Sequence, residues 1–318
     1  MSKLKRKIKH LFVFNTLALG TMYAVNRIIS SSAIIKNILS SRVGKYYSWR
    51  HGNIFYRKIG SGSPLLLIHD LNCISSGFEW SQLEYKLSKN HTVYTIDLLG
   101  CGRSDKPGFT YTSYLYVQLI SDFIKNVIGE KSDIAVTGLS SSFVTMTAYS
   151  NKDIIGKIIM INPPSFKQLS QIPDDRSKII MGILSIPIIG TSIYNIKFCR
   201  QNVEYILTED FVYNPFQIQQ KYVDAYYEAA HRGHGSGKYL MASLDGCYLN
   251  VNIINALKNV QNDMIIIYGT KLKNEKEIVE SYRKINPNIS TIPSSETKFL
   301  PQLENPEKSF SSIEKFLL

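Results

Sequence analysis

From Tyr46 to the C-terminus, short apolar runs alternate with stretches of helical periodicity, and this alternation limits the possible folds more than any other feature of the chain. YYSWRHG and NIFYRKIG read as a hairpin, and PLLLIH (Pro64 to His69) reads as a fully buried strand. WSQLEYKLSKN has helical spacing, HTVYTIDLLG reads as a strand, and SYLYVQLISDFIKNVI as a helix. DIAVTG (Asp133 to Gly138) is a further strand, SSFVTMTAYSN a helix, and GKIIMINPP (Gly156 to Pro164) a strand stopped by a double proline. Strands separated by helices pair through right-handed crossovers, which give a mostly parallel sheet covered on both faces. The expected fold class is α/β, doubly wound.

The alternation stops between Ser165 and about Gly235. SKIIMGILSIPIIG, EDFVYNPFQ and QQKYVDAYYEAAHRGHG read as helices with large apolar faces, and strands resume at DMIIIYG (Asp263 to Gly269) and NISTIP (Asn288 to Pro293). The middle block therefore reads as a helical cap inserted between two strands of one sheet. The chain divides into a basic N-terminus and anchor (1–30), a linker (31–45), the first part of the core (46–164), the cap (165–235) and the second part of the core (236–318).

The first ten residues, MSKLKRKIKH, carry five Lys or Arg and no acid, and LFVFNTLALGTMYAVNRII follows from Leu11 to Ile29. As a helix this stretch spans about 28 Å, enough for a bilayer core. The reading adopted is an uncleaved single-pass anchor through residues 11–29. The positive-inside bias then places Lys3 to Lys9 in the cytoplasm and the main domain outside. A signal peptide cleaved near Ala18-Leu19-Gly20 or Ser31-Ser32-Ala33, leaving a secreted protein, is the alternative, and an amphipathic or core helix is the third.

Much of the net charge of +12 sits in that basic start, and the rest is spread thinly without a finger spacing or an aromatic-and-basic platform. Nucleic acid is therefore not an expected partner. Cys73, Cys101, Cys199 and Cys247 show neither CxxC spacing nor a disulfide framework, so they are expected to be free, half-buried thiols.

Four segments carry a resemblance, in this order: LLLIHD (Leu65 to Asp70), IDLLGCGRSDKP (Ile96 to Pro107), VTGLSSSF (Val136 to Phe143) and LPQLENPE (Leu300 to Glu307). Together they resemble the α/β-hydrolase family, in its capped esterase, epoxide hydrolase and haloperoxidase-like branch. The resemblance covers Gly52 to the C-terminus, least closely in the cap. It implies an α/β-hydrolase fold, no cofactor and no metal, and a small apolar ligand or ester-like substrate held between cap and core.

Residue by residue, the resemblance makes Gly138-Leu139-Ser140-Ser141-Ser142 the nucleophile elbow, with Ser140 in the nucleophile position. It assigns the oxyanion hole to the backbone N–H groups of Ser141 and of Leu71, which follows the His69-Asp70 pair. Asp70 stands where the family has glycine, and a carboxylate there opposes a developing oxyanion unless it points away. IDLLGCGRSDKP reads as structural, with Asp97 and Asp105 outside the chemistry.

The resemblance puts the acid of the triad at Leu272 and the base at Phe299, and neither side chain can do that work. The last histidine in the chain is His234, so the candidates for a substitute base are His69, His231 and His234, the last two in the HRGHG segment expected to be a flexible loop. Three functions remain: a membrane-tethered binding protein without triad catalysis, an active serine hydrolase in which one of these histidines activates Ser140, and a lipid-surface protein whose cap helices dip into the membrane beside the anchor.

Overall fold

The computed structural model describes residues 2–318, with side chains from Lys5 onward; Met1 and the side chain of Lys3, both in the expected basic N-terminus, lie outside the described residues. Eight strands form one sheet in the order β1-β2-β4-β3-β5-β6-β7-β8. The hairpin of β1 (Gly44–Trp49) and β2 (Gly52–Ile59) is antiparallel, and β2 also pairs antiparallel with β4 (His91–Ile96). β3 (Ser63–Ile68), β5 (Ser132–Thr137), β6 (Ile155–Ile161), β7 (Met264–Gly269) and β8 (Ser290–Ser294) continue it in parallel. The continuous Leu-Leu-Leu-Ile run of β3 has a simple cause. Side chains alternate across a strand, so Leu66 and Ile68 enter the apolar core on one face of the sheet while Leu65 and Leu67 enter the core on the other.

The helices used below are α1 (Ser2–Ala33), α2 (Ser113–Phe123), α3 (Ser140–Ser150), α4 (Asp175–Ser185), α5 (Ile189–Lys197), α6 (Gln220–His231), α7 (Lys238–Asp245), α8 (Glu275–Ile285) and α9 (Pro306–Leu317). Their ends follow local chemistry. The Asp174 carboxylate accepts from the Ser177 amide at 2.9 Å and the Ser177 hydroxyl oxygen accepts from the Asp174 amide at 3.0 Å, which closes a capping box on α4. Glu275 and Glu277 open α8 while Arg283 and Lys284 close it, each sign at the favourable pole of the helix dipole.

Three local expectations are corrected. WSQLEYKLSKN yields only the single turn Glu84–Leu87, because β4 begins at His91 and leaves no length for more. EDFVYNPFQ is not one helix: a π-turn ends at Phe211 and a 3₁₀ turn starts at Pro215, since a proline disfavours helical backbone in the residue before it. The four thiols are free, but Cys73 and Cys101 are fully buried and only Cys199 and Cys247 are half-buried.

Strand order reverses around β3, which lies between β4 and β5, and in such sheets the crevice at the carboxyl ends of the strands is where ligands bind. Register supplies the site directly. Ile68 pairs with Val136 and Thr137 with Ile161, so Asp70, Gly138 and Asn162 emerge side by side from three neighbouring strands.

Candidate active site

The turn from β5 into α3 occupies only Gly138 and Leu139. Gly138 has φ +56°, in the left-handed region that costs other L-residues about 1–2 kcal/mol. A Cβ added to it would lie 2.2 Å from Asp70 Oδ1 and 2.8 Å from Phe299 Cζ. The residue at the apex of the turn is thus Gly138, two positions before Ser140, and what it faces is Asp70 and Phe299.

Ser140 lies behind that apex. It is fully buried and its Oγ–H donates to the His69 carbonyl at 2.7 Å. The Ser141 amide donates to the Gly138 carbonyl at 3.1 Å, so it is consumed within the turn, and the buried Ser141 Oγ has no partner. The amide that meets the Asp70 carboxylate is that of Leu139, which donates to Oδ1 at 2.8 Å.

Asp70 is buried, and burial pushes its carboxyl up to about 6, although the Leu139 and Leu71 amides both favour the charged form. Its own amide donates to Glu79 Oε2 at 3.0 Å. Glu79 is completely buried, and desolvation together with the nearby Asp70 charge holds it well above the usual carboxylate range. Two carboxyl groups thus stand behind the elbow.

None of the three candidate histidines reaches Ser140 through its ring. His69 Nδ1 lies 2.6 Å from the Asp70 carbonyl, an acceptor, so that nitrogen carries the proton; Nε2 accepts from the Leu98 amide at 2.9 Å. Both ring nitrogens are committed, and burial lowers the imidazole to about 4. His231 is the last residue of α6 rather than part of a loop. It is buried, its Nδ1–H donates to the Tyr227 carbonyl at 2.9 Å, and its ring packs against Tyr194 and Tyr227. His234 is exposed at φ +52° and faces Tyr23 and Arg27 of α1.

Phe299 is held on both sides of its peptide: its amide donates to the Phe211 carbonyl at 2.9 Å and its carbonyl accepts from Asn162 Nδ2 at 2.8 Å. Its ring packs on Phe211 with centroids 5.2 Å apart. Leu272 is half-buried in the turn after β7 and does not line the cavity that Phe299 lines. Asp97 is structural. Burial alone would raise it, but the Arg103 guanidinium grips it at 2.7 Å and holds the carboxyl well below the usual range.

A cavity of about 410 Å³ opens above the elbow, bounded by Asp70, Gly138, Asn162 and Phe299 below and by Phe198 and Ile206 of the cap above. The Lys197–Asp245 ion pair, at 2.8 Å, spans its rim. Asn162 was not foreseen from the sequence, and its Oδ1 and Nδ2 tie β7 to the Phe299 segment. Its one signal is the double proline that follows.

Sequence and structure comparisons bear on the fold. A curated relative, the 2-hydroxy-6-oxo-6-(2'-aminophenyl)hexa-2,4-dienoic acid hydrolase of Metapseudomonas resinovorans, is 22% identical over 67% of this chain and 69% of its own. An uncharacterized protein of Mycobacterium tuberculosis is 30% identical over 107 residues, and the chain spans about a third of the length of the first such relatives, 31%. Among solved structures, the serine hydrolase of carbazole degradation, CarC, superposes with a TM-score of 0.71 at 16% identity, covering 86% of this chain and 98% of its own. The epoxide hydrolase CorEH superposes with 0.70 at 17% identity, covering 86% and 97%. The model of the alpha/beta hydrolase family matches residues 65–253, more than half the sequence, and with the capped parallel sheet and its strand-to-helix elbow it shows that the chain belongs to the alpha/beta hydrolase family.

Proposed function

We propose that this protein uses the hydrolase fold to bind a small apolar or ester-like ligand in the cavity above the elbow, without serine-triad hydrolysis, and that residues 11–29 hold it in a membrane. One observation carries the reading: the elbow apex is Gly138, and the Leu139 amide beside it is bonded to the Asp70 carboxylate.

Acyl transfer needs a nucleophile at the apex, a base within reach, and N–H donors free to receive the oxyanion. The apex here carries hydrogen, the base position carries the phenyl ring of Phe299, and the donor next to the apex is already paired with an anion. The Asp70 carboxyl group thus already occupies the donor that would receive the negative charge of a tetrahedral intermediate. Losing one oxyanion donor costs on the order of 10² to 10³ in turnover, and losing the base or nucleophile on the order of 10⁶. Phe198, Ile206, Met241 and Phe299 give the cavity apolar walls beside the polar Asp70, Asn162, Gln168 and Lys197, a mixed lining that suits a small ligand with both apolar and polar groups.

The anchor reading is supported by α1. Lys5–Ala33 is long and apolar enough to cross a bilayer, and most of its side chains from Lys5 to Gly20 are exposed on every face. The basic start then faces the cytoplasm, with the sheet and cap on the other side.

The decisive experiment is fluorophosphonate labelling of the full-length protein in detergent. No labelling is expected; labelling that disappears in Ser140→Ala would overturn the reading. The combined variant Gly138→Ser, Asp70→Gly, Phe299→His, Leu272→Asp is expected to gain labelling at position 138.

A further inference from the structure

Helix α1 changes character along its length. Phe12, Phe14 and Leu17 are each about two-thirds exposed or more (71%, 69% and 66%), whereas Asn26, Ser30 and Ala33 are buried against the cap side of the molecule. Asn26 is the fixing point. Its Nδ2 donates to the Ile188 carbonyl at 3.2 Å and to Ser192 Oγ at 3.0 Å, and its Oδ1 accepts from Asn195 Nδ2 at 2.8 Å. A buried amide with this many partners sets both the position and the rotation of the helix.

Ile188, which takes one of those bonds, is the corner of the cap. There α4 and α5 meet at 103°, and Ile188 itself has φ +65°. The outer surface of the corner is apolar: Ile179, Ile183, Ile186, Ile189 and Ile193 are all exposed. Between α1 and α5 runs a groove of about 460 Å³ with an apolar lining that includes Met22, Val25, Ile29 and Ile196.

A free-standing helix that is apolar all round is stable only in hydrocarbon. The anchor of residues 11–29 ends one turn past Asn26, where Asn26-Arg27 and Ser30-Ser31-Ser32 turn the chain polar. Asn26 is tied to the Ile188 carbonyl, so the corner sits next to the end of the anchor, with its exposed isoleucines on the adjoining helices. Burying them in lipid removes their exposed apolar surface from water.

We propose that the α4–α5 corner of the cap is embedded in the lipid interface beside α1, and that bilayer acyl chains fill the groove between α1 and α5. The inference rests on the anchor reading of residues 11–29. It also bears on the ligand: Ile196 and Cys199 face the groove while Lys197 and Phe198 face the elbow cavity, so one thin wall separates the lipid from the site. A ligand dissolved in the bilayer is delivered next to that wall.

The test uses the full-length chain in phosphatidylcholine liposomes, in a Cys199→Ala, Cys247→Ala background. Single cysteines replace Leu17, Ile183, Ile189 or Gln261, carry an environment-sensitive fluorophore, and are quenched by nitroxide on the lipid chains. Gln261 is exposed at the opposite, N-terminal end of the sheet and serves as the control. Labels at 17, 183 and 189 are expected to be quenched about threefold or more over the label at 261, as burial in the headgroup and acyl boundary requires. Quenching at 17 with none at 183 and 189 overturns the inference while the anchor stands. No quenching at 17 overturns the anchor reading and the inference with it. A cooperative melt shared by all four labelled proteins shows that each is folded.

Discussion

Replacing Gly138 by alanine tests whether the elbow turns on this residue. A Cβ at φ +56° costs about 1–2 kcal/mol in backbone energy alone. The added methyl would sit 2.2 Å from Asp70 Oδ1 and 2.8 Å from Phe299 Cζ, and forcing such contacts into a packed site costs about 1–3 kcal/mol more. The expected loss for Gly138→Ala is about 2–5 kcal/mol, large against a typical total of about 5–15 kcal/mol. Asp70→Ala removes the clash but strips the Leu139 amide of its acceptor, at about 1–3 kcal/mol. Because the backbone share and the Phe299 contact persist while the Asp70 clash vanishes, the double variant should be less destabilised than the sum of the singles by up to about 1–3 kcal/mol. Urea unfolding at pH 7.5 in one detergent, followed by tryptophan fluorescence, measures all four corners of the cycle. A Gly138→Ala variant within about 0.5 kcal/mol of the parent would refute the argument, since that is the range of a bland surface change. Strict additivity would refute the contact with Asp70.

The remaining expectations are smaller. Ser140→Ala loses one bond to the His69 carbonyl and should cost about 0.5–1.5 kcal/mol by urea unfolding. Glu275 is buried with one carboxylate oxygen unpartnered, and burial raises its carboxyl from 4.5 to about 7. Its contribution to stability is therefore fully present below about 4.5 and lost as pH rises through about 7. Glu275→Gln should flatten the pH dependence over that window by up to about 3 kcal/mol, read from midpoints at pH 5 and pH 8. Asn26→Leu leaves Ser192 and Asn195 with unmet partners, and limited proteolysis is expected to cut between α1 and the cap faster than in the parent.

Much of the architecture was legible because it rests on period and composition. The Leu65 to Ile68 run announces a strand covered on both faces, whereas its place between β4 and β5 is a tertiary fact. The elbow was harder to read. Counting Gly-x-Ser from Gly138 selects Ser140, but the turn is placed by where β5 stops, and it stops at Thr137. The signal for the other register was present in the residue type itself: a glycine directly after a strand and before a helix is the residue that takes positive φ without strain. Asp70 was noted as a substitution for glycine, yet its orientation depends on which amide reaches it, and that is a tertiary fact. His231 was assigned to a loop because glycines follow it, whereas burial of the Tyr226 and Ala230 face carries α6 through to it.

The pairing of Gly138 with Asp70 also limits what sequence change can do to this protein. A serine at 138 alone meets the Asp70 oxygen, and a glycine at 70 alone uncovers the Leu139 amide without supplying anything that reacts. Each first step strains the turn or adds nothing that reacts, and only the two together open space for a hydroxyl at the apex. On the proposed reading, a base and an acid at positions 299 and 272 would be needed as well before that hydroxyl could lose its proton to a triad. On the binding reading proposed above, hydrolytic chemistry is thus separated from this sequence by several coupled substitutions rather than by a single one.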